Sequence, residues 1–513
     1  MINHIDTITK DTETQDVIPF SSFLESFKSK IQSIFNDRKT NDQLSLQREI
    51  PDFALQEIMS DIPLAVSIPQ EYGGRGGLMY ENLALLAAAS YESLALALTL
   101  GINSALFLQP VSKYALDDAK AKVFKRFIED KNMGGLMITE PGFGSDALNM
   151  QTHYTEKGGK FHIKGKKHWA GLTGLADFWL LTARQKTANG DLQRDIDFFI
   201  CDVHAPGQQV IVEEYFNNLG LYMIPYGRNH IDVRVPDLHR LQPHSTGVKM
   251  MLDLLHRSRM QFPGLGMGFI KRMLDEAISH SKHRQVGGKS LFGYDQVQQR
   301  LAKLQSSYTI SSAMCVNSSK KAGIENDLAP HGMEANAVKS VITDLMHDAA
   351  QSLLQLVGAK AYQLNHIAGR GTVDSRPFQI FEGSNDILYA QISENLVKMM
   401  KRAKENNLLS FLKKFNLTSR AADYIRDHVN FNLDFQMPQR KLVEMGKITG
   451  RIISMNQVLD MAGKGYRNDL IENSISILQQ EISKLMAGFS EKSQTLVVEE
   501  YEEGSSWMKL ARL

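Results

Sequence analysis

The feature that most constrains the fold is one stretch of β-type sequence with helical sequence on both sides. From Leu136 to about Pro243 the chain shows strand and hairpin signals, including glycine turns at Gly158-Gly159 and Asn189-Gly190 between alternating residues. Before and after this stretch, apolar residues recur at helical spacing. The order α, then β, then α predicts an α+β protein of several domains.

The length of the chain also requires more than one domain. At 513 residues it is too long for a single compact core. The changes in periodicity predict an N-terminal helical domain, a middle β domain, a C-terminal helical domain and a helical extension. Their expected bounds are residues 1–135, 136–243, 244–402 and 403–513.

Charge and cysteine content limit the partners and the compartment. The chain has 58 basic and 57 acidic residues, a net charge of +1, which argues against a nucleic acid or an anionic membrane as partner. The two cysteines and the absence of an apolar signal-peptide core in the first residues favour the cytoplasm. The most apolar segment, Leu83–Leu108, is interrupted by polar residues, so we expect a buried helix or helix pair rather than a membrane span.

The extension is expected to be a helical hairpin. Two runs of apolar residues at helical spacing, from Leu442 to Leu459 and from Leu470 to Leu485, flank a break at Gly463-Lys464-Gly465. Residues 403–513 hold 15 basic and 14 acidic residues, so the extension is not a basic arm. We expect it to pack on the body of the protein or on a partner subunit. Peripheral membrane association is possible but not favoured.

The stretch MITEPGFGSD, from Met137 to Asp146, lies where helical sequence gives way to β sequence. Its glycines allow a flat or anionic ligand to approach the backbone closely. Thr139 and Ser145 can form hydrogen bonds to a ring edge or a phosphate. Taken alone, the stretch is equally well explained as a plain loop between domains.

Three single residues could contact a ligand. Trp169 ends one expected strand just before a bend and could cover an aromatic ring, although an isolated tryptophan is more often part of a core. Arg284 is followed by Gly287-Gly288, a combination that suits a pyrophosphate. Arg259 precedes a helix rich in small residues. For any single arginine, a solvated salt bridge is the ordinary alternative.

The stretch FEGSND places a carboxylate beside a glycine and ahead of an expected helix. Gly383 breaks the chain after Glu382, and Ser384 can cap the helix that follows. Glu382 would then lie on a loop, with its side chain free to point into a cleft. The alternative is a surface acid.

Together and in this order, these stretches resemble the acyl-CoA dehydrogenase family. TEPGFGSD is similar to the family's TEPxAGSD signature, Trp169 to its tryptophan after the hairpin, and FEGS to its YEGT-like segment. Arg284 and IPQEYGG also match, so that the resemblance spans Pro51 to Arg402. It implies an N-terminal helical domain, a small middle β-barrel and a C-terminal four-helix bundle that contains the catalytic base.

The resemblance also implies a reaction. It is the FAD-dependent α,β-dehydrogenation of a saturated acyl-CoA to the trans-2-enoyl thioester, a step of fatty acid β-oxidation. Glu382 would abstract the α-proton while flavin N5 takes the β-hydride, and the backbone N–H of Glu382 would help to polarise the thioester carbonyl. The expected electron acceptor is an electron-transfer flavoprotein, and the expected assembly is a homodimer or homotetramer.

The family roles are carried over residue by residue. Glu382 is the expected catalytic residue. The expected FAD-binding residues are Met137, Thr139, Gly144, Ser145, Trp169, Gly171, Arg284, Gln355, Gly358, Ser384 and Asp386. The expected substrate-binding residues are Ser145, Arg259 and Gly383. No metal site is expected. In the family, the residues that correspond to Arg284 and to the segment Gln355–Gly358 bind the phosphates and adenosine of FAD across a dimer interface.

Departures from the family pattern keep alternatives open. Trp169-Ala170-Gly171 replaces Trp-Ile-Thr, and Gly358-Ala359-Lys360-Ala361 replaces a glycine-rich loop. The thioester carrier can therefore be CoA or the pantetheine arm of a carrier protein. An acyl-CoA oxidase uses the same base. A flavin-containing DNA-binding relative also has a C-terminal helical extension, but a basic one. The sequence does not reveal the acyl chain length.

Overall fold

The computed structural model of the protein describes residues 18–37, 48–491 and 497–499. Within this part of the chain the predicted succession of helical, β and helical regions is confirmed. The predictions for residues 1–17 and 38–47 of the N-terminal domain lie outside the described residues. The same is true of residues 492–496 and 500–513 of the extension.

The N-terminal part is a layer of helices. They are α1 (Phe20–Gln32), α2 (Asp52–Met59), α3 (Met79–Glu92), α4 (Leu94–Gly101), α5 (Gln109–Tyr114) and α6 (Asp117–Glu129). A π-helical segment, Ile102–Leu108, joins α4 to α5 into one continuous helical run. This run, Leu94–Tyr114, is long and apolar enough to cross a membrane, yet 94% of its apolar window is buried inside the protein. It is therefore a core helix of this fold, as the sequence predicted.

The middle part is a seven-stranded sheet. Its strands are β1 (Gly134–Met137), β2 (His153–Glu156), β3 (Lys160–Gly171), β4 (Phe178–Gln185), β5 (Asp197–Asp202), β6 (Gln209–Tyr215) and β7 (Tyr226–Pro236). The strand order is β1-β4-β2-β3-β7-β6, and β5 pairs with β4. The predicted Gly158-Gly159 turn is confirmed: it joins β2 to β3, which pair antiparallel. Both glycines adopt the positive φ that a tight hairpin requires.

The C-terminal part is a bundle of long helices. Its helices are α7 (Gly247–Arg259), α8 (Phe262–His283), α9 (Asp295–Lys321), α10 (Gly332–Val357), α11 (Ile367–Ser375) and α12 (Asn385–Ala403). A short hairpin of β8 (Gln285–Val286) and β9 (Lys289–Ser290) follows α8. Helices α8, α9, α10 and α12 form the predicted four-helix bundle, in which α8 packs on α9 and α10, and α10 packs on α12.

The extension adds more helices to the same bundle. They are α13 (Leu408–Lys414), α14 (Arg426–Val429), α15 (Gln439–Met461) and α16 (Asn468–Ser490). As predicted, α15 and α16 form a hairpin, and Gly463 and Gly465 adopt positive φ in the turn. Helix α15 packs on α12, α9 and α10, while α16 packs on α15 and α9. Of the two expected positions for the extension, its described residues therefore lie on the body of their own chain.

Glycines on α8 allow three helices to approach one another closely. A Cβ on Gly268 would lie 1.9 Å from the carbonyl oxygen of Ala87 in α3. A Cβ on Gly266 would lie 2.4 Å from the Ile342 side chain in α10. The first contact is with backbone, which cannot move aside without shifting a whole helix. These glycines thus set the distance between the N-terminal layer and the bundle.

We predict that Gly268→Ala lowers the free energy of unfolding by about 1–3 kcal/mol, because the added methyl group overpacks the contact with α3. Urea denaturation followed by circular dichroism would measure the change. Gly488→Ala is the matched control, since a Cβ there meets no atom within 4 Å and alanine favours the helix by up to about 1 kcal/mol. Equal effects of the two substitutions would contradict the prediction.

Candidate active site

The parts of the chain meet around a cavity of about 310 Å³. One wall is apolar and comes from the N-terminal helices: Leu86, Leu98, Gly101, Ile102, Ala105 and Leu106. Three of these residues belong to the π-helical segment Ile102–Leu108, a distortion that is frequent at functional sites. The rest of the lining comes mainly from the loop after β1, the end of β3, the helices α7 and α8, and the turn before α12.

The turn before α12 presents Glu382 in a strained conformation. Its φ of 54° lies in the left-handed region, which non-glycine residues rarely adopt, and Gly383 follows with a φ of 95°. Two cations bind the backbone of this turn. Arg259 donates from Nε and Nη2 to the carbonyl oxygen of Glu382 at 3.1 and 2.7 Å. Lys339 donates to the carbonyl oxygen of Gly383 at 2.9 Å. The backbone strain is thus balanced by charged hydrogen bonds.

The Glu382 carboxylate has one bonded oxygen and one bare oxygen. Ser258 donates its hydroxyl to Oε1 at 2.8 Å. Oε2 is shielded from solvent and has no hydrogen-bond partner among the described residues. Burial raises the pKa of Glu382, against the hydrogen bond from Ser258 and the charges of Arg259 and Lys339, which lower it. A carboxylate with a raised pKa and a free oxygen in a cavity can accept a proton from a carbon acid.

The two cations behind the turn are themselves buried. Lys339 has no exposed surface, and burial lowers its pKa to about 7. Its second hydrogen bond goes to Oδ1 of Asn385 at 2.9 Å. Arg259 uses its remaining nitrogen, Nη1, to donate to Asn336 at 2.7 Å. Arg259 lines the cavity, and two of its three nitrogens hold the turn through the Glu382 carbonyl.

A buried ion pair anchors the TEPGFGSD loop. Glu140 turns inward and pairs with Lys167 at 2.9 Å, and Lys167 has no exposed surface. Glu140 also accepts a hydrogen bond from the backbone N–H of Thr152 at 3.0 Å. Burial lowers the pKa of Lys167 to about 8, although the charge of Glu140 opposes this shift. With Glu140 anchored inside, Gly144 and Ser145 remain on the cavity side of the loop.

A β-bulge presents Trp169 to the cavity. The register between β3 and β7 shifts between His168 and Ala170, and Trp169 adopts a φ of 56°. Its side chain remains 52% exposed and lies 4.5 Å from the ring of Phe216. A bulge commonly redirects a side chain at a functional site. An exposed indole at a cavity rim offers a flat surface for stacking on an aromatic ring.

At Gly171 the structure explains a departure from the family pattern. A Cβ at this position would lie 2.8 Å from Cδ1 of Ile102, on the apolar wall. A threonine at this position would therefore require the Ile102 side chain to move. The glycine keeps its backbone on the cavity wall without a side-chain hydroxyl.

The structure brings together most of the predicted site residues. Those that line the cavity are Thr139, Gly144, Ser145, Trp169, Gly171, Arg259, Glu382 and Gly383. Met137 is buried in β1, just before the loop. The Asp386 side chain is 76% exposed and lies 3.7 Å from Lys447.

One prediction for this region is wrong in part. Ser384 is the N-cap residue of α12, but its side chain makes no capping hydrogen bond. The turn is instead held by hydrogen bonds from Arg259 to the Glu382 carbonyl and from Lys339 to the Gly383 carbonyl, so no serine hydroxyl is needed to fix it. The prediction that Ser384 contacts the cofactor is not tested by this observation.

Arg284 and the segment Gln355–Gly358 form a second cluster, outside the cavity lining. They meet at the C-terminal ends of α8 and α10, where His280 bonds the backbone of Leu356. Burial lowers the pKa of His280, and the charges of Arg284 and Lys360 lower it further. Two cations beside one histidine form a positive site that suits phosphate groups.

The residues present fit an FAD. Gly144 and Trp169 line the same cavity, and a Cβ on Gly144 would meet nothing within 4 Å, so the backbone of this loop is open to a ligand. Thr139 and Ser145 offer hydroxyl groups on this side of the cavity. The cationic cluster at Arg284 has the charge that suits a pyrophosphate group.

Sequence reasoning missed Ser258, Lys339 and the pair of Glu140 with Lys167. For Lys339 a signal existed: it is the one charged residue in the apolar run ANAVKSVIT, and a lone charge on such a helix is usually buried with a partner. Ser258 directly precedes Arg259, but nothing in the local pattern points its hydroxyl at a residue 124 positions away.

Comparison with known families agrees with this geometry. The sequence matches the acyl-CoA dehydrogenase N-terminal domain over residues 27–131, the middle domain over residues 135–233 and the C-terminal domain over residues 245–397. The chain belongs to the acyl-CoA dehydrogenase family. It is therefore an oxidoreductase of a family of FAD enzymes, and the three matches follow the order of the three parts of the fold.

Individual relatives are distant. An acyl-CoA dehydrogenase of Bacillus subtilis is 23% identical over 384 residues, which are 70% of this chain and 98% of the relative. Human very long-chain specific acyl-CoA dehydrogenase is 22% identical over 397 residues, 73% of this chain but only 59% of the relative. The solved structure of an acyl-CoA dehydrogenase complexed with FAD from Bacillus anthracis is similar with a TM-score of 0.73 and 16% identity. It covers 94% of this chain and 90% of its own, so the likeness of fold reaches into the extension.

We predict that Lys167→Met lowers the free energy of unfolding by about 3–5 kcal/mol, because it leaves the buried charge of Glu140 without its partner. Urea denaturation would measure the loss. Lys164→Met, on the exposed face of the same strand, is the control: its side chain is 50% exposed, and we expect a change of about 1 kcal/mol or less. A small loss for Lys167→Met would show that Glu140 is not held by this pair.

Proposed function

We propose that this protein is an FAD-dependent acyl-CoA dehydrogenase in which Glu382 removes the α-proton of a saturated acyl thioester. The observation that supports this most directly is that Glu382 lines a cavity with an apolar wall and that its Oε2 has no hydrogen-bond partner among the described residues. A carboxylate acts as a base toward a carbon acid only where burial raises its pKa, and burial does so here.

The residues of the chain divide the work between them. Glu382 accepts the proton, and its backbone N–H polarises the thioester carbonyl. FAD, when bound, supplies the acceptor for the β-hydride. Thr139, Ser145 and Trp169 hold the flavin ring against the loop, and the leucine-rich wall receives the acyl chain and excludes water. CoA is the proposed thioester carrier. An electron-transfer flavoprotein is the proposed acceptor of the electrons.

We predict that Glu382→Gln slows flavin reduction by saturated acyl-CoA about 10²–10⁴-fold, because an amide cannot take the α-proton. The measurement is anaerobic absorption spectroscopy of the flavin-loaded protein, mixed with saturated acyl-CoAs of increasing chain length. Bleaching of the oxidised flavin bands by the wild type would also identify the preferred chain length.

Glu394→Gln, an exposed carboxylate on α12, is the matched control and should bleach like the wild type. Unchanged bleaching in Glu382→Gln would remove Glu382 from the mechanism. If the protein binds flavin but no acyl-CoA bleaches it, the thioester substrate would be carried by a carrier protein rather than by CoA. Rapid oxygen consumption by the reduced protein would identify the activity as that of an acyl-CoA oxidase rather than a dehydrogenase.

We predict that Ser258→Ala moves the acid limb of the pH–rate profile to higher pH. The Ser258 hydroxyl stabilises the ionised carboxylate and so lowers the pKa of Glu382. Without it the pKa of Glu382 rises, and the base is deprotonated only at higher pH. The rate of anaerobic flavin reduction across pH would test this. Ser307→Ala, whose hydroxyl donates to the Lys303 carbonyl within α9, should leave the profile unchanged; an unmoved limb in Ser258→Ala would contradict the assignment.

A further inference from the structure

A continuous chain of polar contacts, buried or nearly so, joins the extension to the turn of Glu382. It starts at Arg451, which lies on α15 and faces the bundle. Its Nη1 donates to the Tyr389 hydroxyl at 2.7 Å, and its Nη2 lies 3.4 Å from Oδ2 of Asp344. Its Nε lies 3.6 Å from Glu481 on α16. The arginine side chain is 11% exposed, so these charges are little screened by water.

The chain continues from Asp344 toward the turn. The Tyr389 hydroxyl donates to Oδ2 of Asp344 at 2.7 Å, and the Asn385 amide donates to Oδ1 at 2.7 Å. The other side of the Asn385 amide accepts from Lys339 at 2.9 Å. Lys339 then donates to the carbonyl oxygen of Gly383 at 2.9 Å. Four side chains thus connect Arg451 to the residue after Glu382.

Backbone contacts bring the extension to the same place. A Cβ on Gly446 of α15 would lie 2.0 Å from the carbonyl oxygen of Tyr389, and one on Gly450 would lie 3.0 Å from Val341 in α10. One turn along α12, Ser393 donates to the carbonyl oxygen of Leu442 at 2.5 Å. Helix α15 is therefore seated directly on the first turns of α12, which begins three residues after Glu382.

We propose that the C-terminal extension positions the Glu382 turn, and that Arg451 is the positioning residue through which it acts. The inference rests on the proposed role of Glu382. Arg451 balances the charge of Asp344 and, directly and through the Tyr389 hydroxyl, helps to orient Oδ2. Oδ1 accepts from Asn385 and from Gln379. Asp344 accepts the shortest of the three hydrogen bonds that the Asn385 amide donates, the others going to Ser340 and Thr343. In this orientation Asn385 accepts from Lys339, and Lys339 holds the Gly383 carbonyl.

The chain of contacts explains why the extension would matter to a strained turn. A glutamate in the left-handed region costs about 1–3 kcal/mol and persists only where its surroundings overdetermine it. Lys339 is one of the two cations that bind the turn, and the direction of its N–H groups depends on a fixed acceptor at Asn385. Without Arg451, the largely buried charge of Asp344 loses its cation, and we expect the carboxylate to rotate or to recruit water.

The test is hydrogen–deuterium exchange of the flavin-loaded protein, read at peptides that cover Phe381–Ser384. We expect Arg451→Met to speed exchange there by about tenfold or more, the equivalent of one lost hydrogen bond to a charged group. Tyr389→Phe, which removes one hydroxyl and keeps the ring, should act in the same direction without unfolding the bundle. Arg467→Met is the matched control in the extension, because its side chain is 71% exposed and pairs only with Asp469 among the described residues; the turn should exchange as in the wild type.

Kinetics give a second readout. In Arg451→Met the rate of flavin reduction at saturating acyl-CoA should fall, with little change in the half-saturating concentration, and Arg451→Lys should recover part of the rate. Adding Arg451→Met to Lys339→Met should have little further effect, because the link to the turn is already cut.

Two results would overturn the proposal: unchanged exchange at the turn in both Arg451→Met and Tyr389→Phe, or faster exchange of equal size throughout the chain. The exchange measurement does not depend on catalysis. If the turn responds but no acyl-CoA reduces the wild-type flavin, the proposed function fails and the link to the extension stands. If acyl-CoA reduces the flavin and the turn does not respond, the link fails and the proposed function stands.

Discussion

Two buried cations bind two consecutive carbonyl oxygens, and the candidate active site depends on this arrangement. Arg259 holds the carbonyl of Glu382, and Lys339 holds the carbonyl of Gly383. The backbone between them is strained, and each cation is costly to bury without partners. A loop alone could offset neither the backbone strain nor the free energy of burying the two cations. The turn needs α7 to supply the arginine, α10 to supply the lysine, and α12 to supply the amide that orients it.

Much of the fold could be predicted because its signals are local. The change from helical to alternating periodicity marks the sheet, and glycine pairs mark its first hairpin and the turn of the extension. The cavity residues on the TEPGFGSD loop, Trp169 and Glu382 were found because short motifs recur in a family in a fixed order. Such motifs report the chemistry of a ligand, which the sequence can display without any tertiary structure.

What the sequence could not supply are partners far apart in the chain. Ser258 and Glu382 are 124 residues apart, and Arg451 and Asp344 are 107 residues apart. The failed cap at Ser384 has the same origin: local preference predicts a serine hydroxyl at the helix N-terminus, but long-range contacts to the carbonyl groups determine the turn. The partners of polar groups in a core are determined by how the helices and strands pack, and this packing cannot be read from a single sequence.

The close approach of Ile102 to Gly171 makes substitutions at these two distant positions depend on each other. The space that a side chain at position 171 would need is filled by an isoleucine from the π-helical segment. A Cβ at 171 would lie 2.8 Å from Cδ1 of Ile102, so a larger residue there needs either another rotamer of Ile102 or a smaller residue at 102. A smaller residue at 102 alone would leave a void. The two positions are therefore expected to change together among close relatives of this protein, with glycine paired to a large residue and threonine paired to a small one.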